Sequence, residues 1–176
     1  GSNELTFGRI RHAHLKELAV ESGGLDREIV HELFSAELPE LEHLELWLGD
    51  EGYGANTTVE DLAPILDGSR FPRLRYLGLR DSQFADEIAA VLVHAPVLGQ
   101  LRVLDLSLGT LSDEGAAALL NAPGLRKLEK LDIHHHYCSP EMVELLQELG
   151  IEVDASDKQE PDDGDGEGHR FVAVSE

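Results

Sequence analysis

The chain has 176 residues, with 35 Asp and Glu against 14 Lys and Arg and a formal net charge of −21. This length fits one domain of ordinary size. Binding to nucleic acid or to an anionic membrane requires a basic face, so we expect neither partner for so acidic a chain. The apolar runs are only a few residues long, too short to span a bilayer. A single cysteine, Cys138, cannot form an internal disulfide, which indicates a reducing, cytoplasmic location.

One apolar spacing recurs along the chain in the form Leu-x-x-Leu-x-apolar. The five clear copies begin at Leu15, Leu41, Leu74, Leu101 and Leu128. Their first leucines are separated by 26, 33, 27 and 27 residues, and a weaker sixth copy contains Ile151 and Val153. Because the end of each copy alternates apolar and polar residues, each copy predicts a short strand with one buried face.

Amphipathic segments with helix-start signals lie between the predicted strands. The predicted N-terminal caps are Asp26, Thr58, Ser112 and Ser139. Asp61, three residues after Thr58, completes the pattern of a capping box. In the third repeat, residues 86–92 predict the matching helix. The chain therefore alternates one strand and one helix in each unit of about 27 residues, and such units bury their apolar faces only when they stack.

This pattern resembles the leucine-rich repeat superfamily, and within it the ribonuclease-inhibitor-like class, which has a full helix in each repeat. Residues 101–127, LRVLDLSLGTLSDEGAAALLNAPGLRK, are the most similar. The tail RFVAVSE is also similar to that of uncharacterised bacterial leucine-rich repeat proteins. The resemblance implies an α/β fold, a right-handed solenoid or horseshoe with a parallel concave sheet and outer helices.

The chain divides into four segments by composition. We expect a cloning or protease scar at residues 1–3, the leucine-rich repeat domain at 4–154, an acidic flexible linker at 155–168 and a strand-like tail at 169–176. The tail has two main interpretations: it folds back on the last repeat and covers the open sheet edge, or it adds to a partner's sheet. At the other end, either residues 4–14 cap the sheet or further repeats precede them.

The turn after each strand departs from the family pattern. The family often places Asn or Cys at the ninth repeat position, where the side chain bonds the backbone of the turn. Here that position holds Gly23, Gly49, Ser82, Gly109 and His136. We therefore expect the backbone groups of these turns to find other hydrogen-bond partners.

Polar and aromatic side chains occupy the strand positions that alternate with the buried leucines, and they define a concave face that is acidic. The candidate partner-binding residues are His43, Glu45, Trp47, Tyr53, Tyr76, Arg80, Asp105, Asp132 and His134. Trp47 beside Tyr76 and Arg80 has the composition of an interface hot spot, although Trp47 has the alternative role of packing under the following loop. Tyr53 belongs to a glycine-rich insertion at 49–56, which either determines specificity or is a tolerated surface insertion.

The run of three histidines ending at His136 follows Asp132. Two imidazoles and a carboxylate are ligands that a divalent metal accepts, but solvated or hydrogen-bonded histidines are the alternative. The chain has no phosphate-binding glycine loop and no nucleophile elbow, so we expect no catalytic residue and no cofactor. The sequence therefore predicts a non-enzymatic interaction module or scaffold that binds a protein partner, with a basic surface as the natural complement. The alternative is a metal-binding or metal-dependent hydrolytic protein centred on Asp132, His134 and His136.

Overall fold

A computed structural model describes residue 8, residues 10–164 and residues 168–174 of the chain. Parts of all four predicted segments lie outside the described residues. They are the scar at 1–3, residues 4–7 and 9 of the repeat domain, which belong to its predicted N-terminal cap, residues 165–167 of the acidic linker and residues 175–176 of the tail.

Strands and helices alternate along the described part of the chain. The strands are β1 Glu17–Val20, β2 His43–Gly49, β3 Tyr76–Ser82, β4 Val103–Asp105, β5 Lys130–Asp132 and β6 Glu152–Asp154. The helices are α1 Arg27–Ser35, α2 Ala63–Leu66, α3 Ala85–Leu92, α4 Asp113–Leu120 and α5 Pro140–Gln147. Short 3-10 turns lie at Glu51–Tyr53, Val59–Leu62, Pro96–Gly99 and Leu125–Lys127.

The six strands form one parallel sheet in which the spatial order is the chain order, β1 to β6. The register aligns the equivalent leucines, so that Leu44 lies opposite Leu77 and Leu77 lies opposite Leu104. The predicted α/β class is confirmed, as is the placement of the leucine-bearing segments as strands. The helices also begin where capping chemistry predicts. Asp26, Ser112 and Ser139 each accept a hydrogen bond from a backbone amide of the first turn.

The predicted capping box is also present. Thr58 and Asp61 exchange both side-chain-to-backbone hydrogen bonds of the box, at the start of the 3-10 turn Val59–Leu62 that leads into α2. In the third repeat α3 begins at Ala85, one residue before the predicted start.

The helices cover one face of the sheet. Strand leucines such as Leu77 and Leu104 are fully buried in one apolar cluster with helix residues such as Ile88 and Leu119. Each such side chain contributes roughly 2 kcal/mol of hydrophobic stabilisation. Helix α3 packs beside α4, and α4 packs beside α5. The opposite face of the sheet carries the polar strand residues and is called the open face below.

None of the helices in the described part of the chain has both the length and the apolar content that crossing a bilayer requires.

Side chains at the ninth repeat position bond the backbone in two of the turns after the strands. Ser82 Oγ accepts a hydrogen bond from Phe84 N at 3.2 Å, and His136 Nδ1 accepts one from Cys138 N at 3.0 Å. Two of the ninth-position side chains thus bond the turn backbone as Asn would. Gly49 has φ of +75° and a Cβ there would lie 2.0 Å from Gly23 O, so this turn requires glycine.

The chain beyond β6 stays in contact with the domain. His135 N donates to Ser156 O at 3.0 Å and Gln159 N donates to His136 O at 2.7 Å, so the first residues of the predicted linker run beside the segment after β5. The tail folds back, with Val174 N donating to Asp81 Oδ1 at 2.9 Å. It crosses the strand ends, whereas the fold-back interpretation placed it on the open edge of the sheet.

Candidate functional site

The parallel register arranges the open face into transverse rows of side chains. One row consists of Glu17, His43, Tyr76, Val103, Lys130 and Glu152. The next consists of Ala19, Glu45, Gly78, Asp105, Asp132 and Asp154. Trp47 and Arg80 lie opposite each other in the row after that. We call the carboxylates of the middle row, Glu45, Asp105, Asp132 and Asp154, the acid row.

The acid row places like charges on neighbouring strands. Asp105, Asp132 and Asp154 follow one another in register on β4, β5 and β6, and such strands are about 4.8 Å apart. Asp105 is 4% exposed and Asp132 is 9% exposed, so water screens their repulsion poorly. Like charges directly opposite in a sheet destabilise it. The row therefore requires cations, and the protein supplies two, Arg80 and Lys130.

Arg80 bridges the first half of the acid row. Its Nη1 lies 2.7 Å from Glu45 Oε1, and its Nε lies 3.4 Å from Asp105 Oδ2 while donating to Ser107 Oγ at 3.0 Å. The guanidinium carbon also lies 5.0 Å from the centre of the Trp47 ring. Arg80 is thus held by two carboxylates and one aromatic ring.

Gly78 makes this bridge possible. It stands in the acid row between Glu45 and Asp105, where a Cβ would lie 3.2 Å from Glu45 Cγ and 3.4 Å from Arg80 Cδ. A side chain at this position would therefore crowd the space that the Arg80 side chain crosses.

The charges of this group stabilise one another. Burial alone would raise the pKa of Glu45, but the hydrogen bond from Trp47 Nε1, at 2.6 Å, and the charge of Arg80 outweigh burial and lower it. Burial would lower the pKa of Arg80, but the carboxylates of Asp105 and Glu45 raise it. Both side chains are therefore charged at neutral pH.

Two stacked rings lie beside the acid row. The His43 and Tyr76 rings are 3.8 Å apart between centres and nearly parallel, at 7°. The Tyr76 hydroxyl donates a hydrogen bond to Asp105 Oδ2. Burial, together with the hydrogen bond and charge of Asp105, raises the pKa of Tyr76, so the phenol remains a donor. The sequence-predicted residues His43, Tyr76 and Asp105 are thus in one connected group.

Lys130 bridges the second half of the acid row. Its Nζ lies 3.0 Å from Asp132 Oδ2 and 3.8 Å from Asp154 Oδ2. The hydrogen bond to Asp132 raises the pKa of Lys130. On the other side of the same carboxylate, His134 Nδ1 lies 2.8 Å from Asp132 Oδ1. Ligand atoms of Asp132, His134 and Asp154 lie within 4.8 Å of one another, which is close enough to hold a divalent metal. The ammonium of Lys130 already bridges these two carboxylates and offsets part of their charge.

His136 is not part of this group, which corrects the metal set expected from the sequence. It is 1% exposed, its Nδ1 accepts from Cys138 N, and its Nε2 lies 3.1 Å from Ala155 O. Both ring nitrogens are therefore engaged by backbone groups, and burial lowers the pKa of the ring, which stays neutral. Asp154 takes the third position beside Asp132 and His134.

Tyr53 also lies apart from the rows. It is 56% exposed and ends the 3-10 turn Glu51–Tyr53, beyond β2 in the glycine-rich insertion. Asn56 anchors this insertion to the start of α1, because its Oδ1 accepts from Arg27 N at 2.6 Å and its backbone oxygen accepts from Arg27 Nε at 3.0 Å. The insertion thus holds Tyr53 on the surface, beyond the end of β2.

Asp81 is a buried polar residue that sequence reasoning missed. It follows Arg80, is 0% exposed, and has a φ of +52°. Its Oδ1 accepts from Val174 N, whereas Oδ2 has no hydrogen-bond partner among the described residues, and burial raises the pKa of its carboxyl group to about 6. Leu108 and His135, at the same repeat position, also have positive φ. The repeat register locates this position, but a sequence pattern does not reveal its backbone conformation.

The fold and the open face define an α/β protein with a single parallel sheet and a polar, highly charged surface on one side of it. No family model and no curated protein matches the chain. The chain is similar to a protein from Bacteroides fragilis of known crystal structure, with 34% sequence identity and a TM-score of 0.85. The match covers 90% of this chain and 46% of the Bacteroides fragilis protein, so the chain spans about half the length of that protein.

Proposed function

We propose that the chain is a leucine-rich repeat solenoid of the ribonuclease-inhibitor-like class that acts as a non-enzymatic interaction module. Its ligand is a basic segment of a partner protein, bound along the acid row of the open face. The recurring leucine spacing and the neighbouring parallel strands support the solenoid, because stacked units of one strand and one helix have this strand order.

The acid row is the observation that carries the proposed function. Aligned carboxylates on β4, β5 and β6 cost folding free energy. The cations Arg80 and Lys130 offset only part of that cost, because two cations bridge the four carboxylates of the acid row. A partner that brings lysine or arginine side chains would neutralise the remaining charge, and this complementarity gives both a fast association and a preference for basic partners.

The aromatic side chains at the end of the acid row add apolar contact. Trp47 on β2 is half-buried, and the stacked rings of His43 on β2 and Tyr76 on β3 lie on the other side of the acid row, two rows away. Aromatic residues next to a salt-bridged arginine are typical of the residues that dominate binding energy at interfaces. We therefore place the strongest contacts at β2 and β3 and the electrostatic contacts at β4 to β6.

The test compares charge removal on the open face with equal charge removal on the helices. Asp132→Asn combined with Asp154→Asn removes two carboxylates of the acid row and keeps their shape. Glu87→Gln combined with Glu144→Gln is the matched control, because both are exposed residues on the helix side. Immobilised proteins capture partners from the lysate of the native cell at increasing salt, and retained proteins are identified by mass spectrometry.

We expect the wild type and the control to retain the same protein, and the acid-row variant to lose it with about a five- to tenfold drop in affinity. Increasing salt should release the protein from the wild type as well. Thermal melts show that each variant is folded. Equal retention by the wild type and the acid-row variant would refute the proposed site.

Metal binding has weaker support as a second function. The donor atoms of Asp132, His134 and Asp154 are close enough for a metal. However, the ammonium of Lys130, 3.0 Å from Asp132, competes with a cation for the same oxygens. Elemental analysis of protein purified without a nickel column distinguishes the two functions. Stoichiometric zinc or another transition metal would favour the metal site over the interaction module.

A further inference from the structure

The connections that lead from one helix into the next strand lie along one edge of the sheet, at the N-terminal ends of the strands. Those before β3, β4 and β5 are residues 67–75, 93–102 and 121–129. Together they contain six lysines and arginines but only two acids, Asp67 and Glu129. In the whole chain acids outnumber these bases by 35 to 14, so this edge has the opposite charge balance. We call the six cations the entry rim; they are Arg70, Arg73, Arg75, Arg102, Arg126 and Lys127.

The sheet register places cations of the entry rim side by side. Val103 N donates to Arg75 O at 3.0 Å and Lys130 N donates to Arg102 O at 3.1 Å. Arg75 and Arg102 therefore precede neighbouring strands at the same repeat position, and such strands are about 4.8 Å apart. Both side chains are exposed, as is that of Lys127 on the next connection. Like charges this close give the edge a positive potential that attracts anions.

The acids of the chain neutralise few of these cations. Within the described residues only Arg73 and Arg102 of the entry rim form ion pairs with a carboxylate, and their partners are Glu40 and Glu129. The second pair is 3.6 Å long between Arg102 Nε and Glu129 Oε1 and both side chains are exposed, so it contributes little. Arg75 donates to backbone oxygens instead. The entry rim thus keeps a net positive charge in a strongly acidic chain.

An apolar pocket begins at the first cation of the entry rim. It has a volume of about 590 Å³, which is within the range of ligand sites. Its apolar lining includes Ala36, Leu38, Pro39 and Pro72, from the connections before β2 and β3. Arg70 also lines it. The pocket therefore offers an apolar side chain a place next to a positive charge.

Arg70 brings to the pocket a charge that no carboxylate among the described residues pairs with. The other arginine of the lining, Arg11, pairs with Glu37 at 2.8 Å. Arg70 is held in place by a hydrogen bond from Nη2 to Ala36 O and by the Phe71 ring, whose centre is 5.9 Å from its guanidinium carbon. Its Nε is buried and has no hydrogen-bond partner among the described residues. A carboxylate is the group that pairs best with a fixed guanidinium.

We propose that the entry rim and this pocket form a docking site for an acidic peptide segment of a partner protein. The segment places an aliphatic side chain in the pocket and a carboxylate beside Arg70, and its further acids lie along the exposed cations. Because β3 and β5 are roughly 10 Å apart, three residues of an extended segment reach from the pocket to Lys127. The acids therefore follow the aliphatic residue directly. The site is distinct from the acid row, whose proposed ligand is basic.

Other acidic occupants fit this surface less well. The described part of the chain's own acidic linker lies at the opposite ends of the strands, where Gln159 N donates to His136 O at 2.7 Å. Single-stranded nucleic acid is held by exposed aromatic rings that stack on bases. The three connections of the entry rim contain one aromatic residue, Phe71, which is 1% exposed. An apolar pocket beside cations suits a peptide side chain instead.

The test is an NMR titration of the isotope-labelled full chain at low salt with the unlabelled peptide acetyl-GLDEDEG-amide. We expect saturable shifts of the backbone amides of residues 36–39, 70–75 and 126–127, and none in the tail at 168–174. Replacing the leucine of the peptide by glycine should weaken binding about tenfold, because the pocket then receives no side chain. This comparison separates docking in the pocket from attraction between charges alone.

Variants of the entry rim test the electrostatic part. Arg75→Gln combined with Lys127→Gln removes two exposed cations and should weaken binding about five- to tenfold. Arg27→Gln combined with Lys158→Gln makes the same charge change away from the entry rim and should bind as the wild type does. Arg70→Gln should weaken binding at least about tenfold, because the pocket loses its charge. Thermal melts check folding, and the exposed pair decides the outcome even if Arg70→Gln is unstable.

Four outcomes would overturn the proposal. Two are the absence of saturable shifts at the entry rim with millimolar peptide, and equal affinity of the wild type and the Arg75→Gln, Lys127→Gln chain. The third is tighter binding of a single-stranded RNA of equal charge, which would assign the surface to nucleic acid. The fourth is self-association in sedimentation that this variant abolishes, which would make a second copy the occupant. Asp132→Asn combined with Asp154→Asn, which tests the acid row, should not weaken peptide binding.

Discussion

The pH dependence of stability is expected to report directly on the buried carboxyl group of Asp81. This group is 0% exposed, and burial raises its pKa from the ordinary value of 3.8 to about 6. The backbone amides of Val174 and Ala173 and the charges of His135 and Arg80 oppose this rise without cancelling it. Asp81→Asn removes the ionisation and keeps the shape. Asn also tolerates the left-handed backbone conformation, which the φ of +52° requires.

The sign of the effect follows from which state holds the proton. The pKa of Asp81 is higher in the folded state than in the unfolded state. Between pH 3.8 and about 6 the folded protein therefore keeps a proton on Asp81 that the unfolded chain has released. The contribution to stability is complete below pH 3.8 and is lost as the pH rises through about 6. From pH 4.5 to 7.5 the wild type should lose about 2 kcal/mol through this group, and Asp81→Asn should not.

The assay is urea unfolding of both proteins from pH 4.5 to 7.5 at constant ionic strength. The free energy of unfolding of Asp81→Asn minus that of the wild type should increase by about 2 kcal/mol across this range. Subtraction cancels the titration of the other acids. Glu60→Gln, at an exposed position, is the control and should give a difference that is nearly independent of pH. A constant difference for Asp81→Asn would refute the reasoning.

Three further predictions test local features of the fold. Gly49→Ala should lower the free energy of unfolding by more than about 1 kcal/mol, because the backbone of Gly49 has a positive φ and Gly23 O occupies the space that a Cβ would need. Gly99→Ala is the control, because the space around Gly99 is open, and urea unfolding should show a smaller effect for it. Cys138 is fully buried, and burial raises the pKa of its thiol to about 12. At pH 8 its reaction with a disulfide reagent should therefore be about a thousandfold slower in the folded protein than in urea, and equal rates would contradict its burial. Lys130→Met removes the ammonium beside Asp132, so zinc measured by calorimetry should bind this variant more tightly than the wild type, and unchanged affinity would show that Lys130 does not compete with metal.

The regular elements could be predicted from the sequence because their causes are local. A strand with one buried face requires only alternation, so the copies beginning at Leu41 and Leu74 predict β2 and β3. A helix N-terminus requires a short polar side chain within reach of the next backbone amides, so Asp26 and Ser112 were recognisable as caps. The repeat spacing also predicts the register, because the extra length of the second repeat lies after its strand.

The candidate site was predictable only in part. Alternation places Glu45 and Arg80 on the open face, and the register brings them onto neighbouring strands. Alternation does not continue past the strand ends. The histidine run therefore looked like a set of metal ligands, whereas His136 turns inward and binds the backbone at Cys138 N and Ala155 O. The role of Gly78 could not be predicted either, because it depends on the path of the Arg80 side chain past Gly78, and the spacing of residues in the sequence does not describe that path.

The sequence by itself determined that strands and helices alternate, which side chains are buried beneath the sheet, and that acids outnumber lysine and arginine on the open face, because these properties follow from residue type and from periods of a few residues. Only the tertiary structure decided that Arg80 joins Glu45 to Asp105, that Lys130 occupies the space between Asp132 and Asp154, and that the tail reaches Asp81. Except for Lys130 and Asp132, which are two positions apart, these contacts join residues that are 24 to 93 positions apart. Their geometry exists only after the strands have aligned, when the distances between charges are set by the sheet.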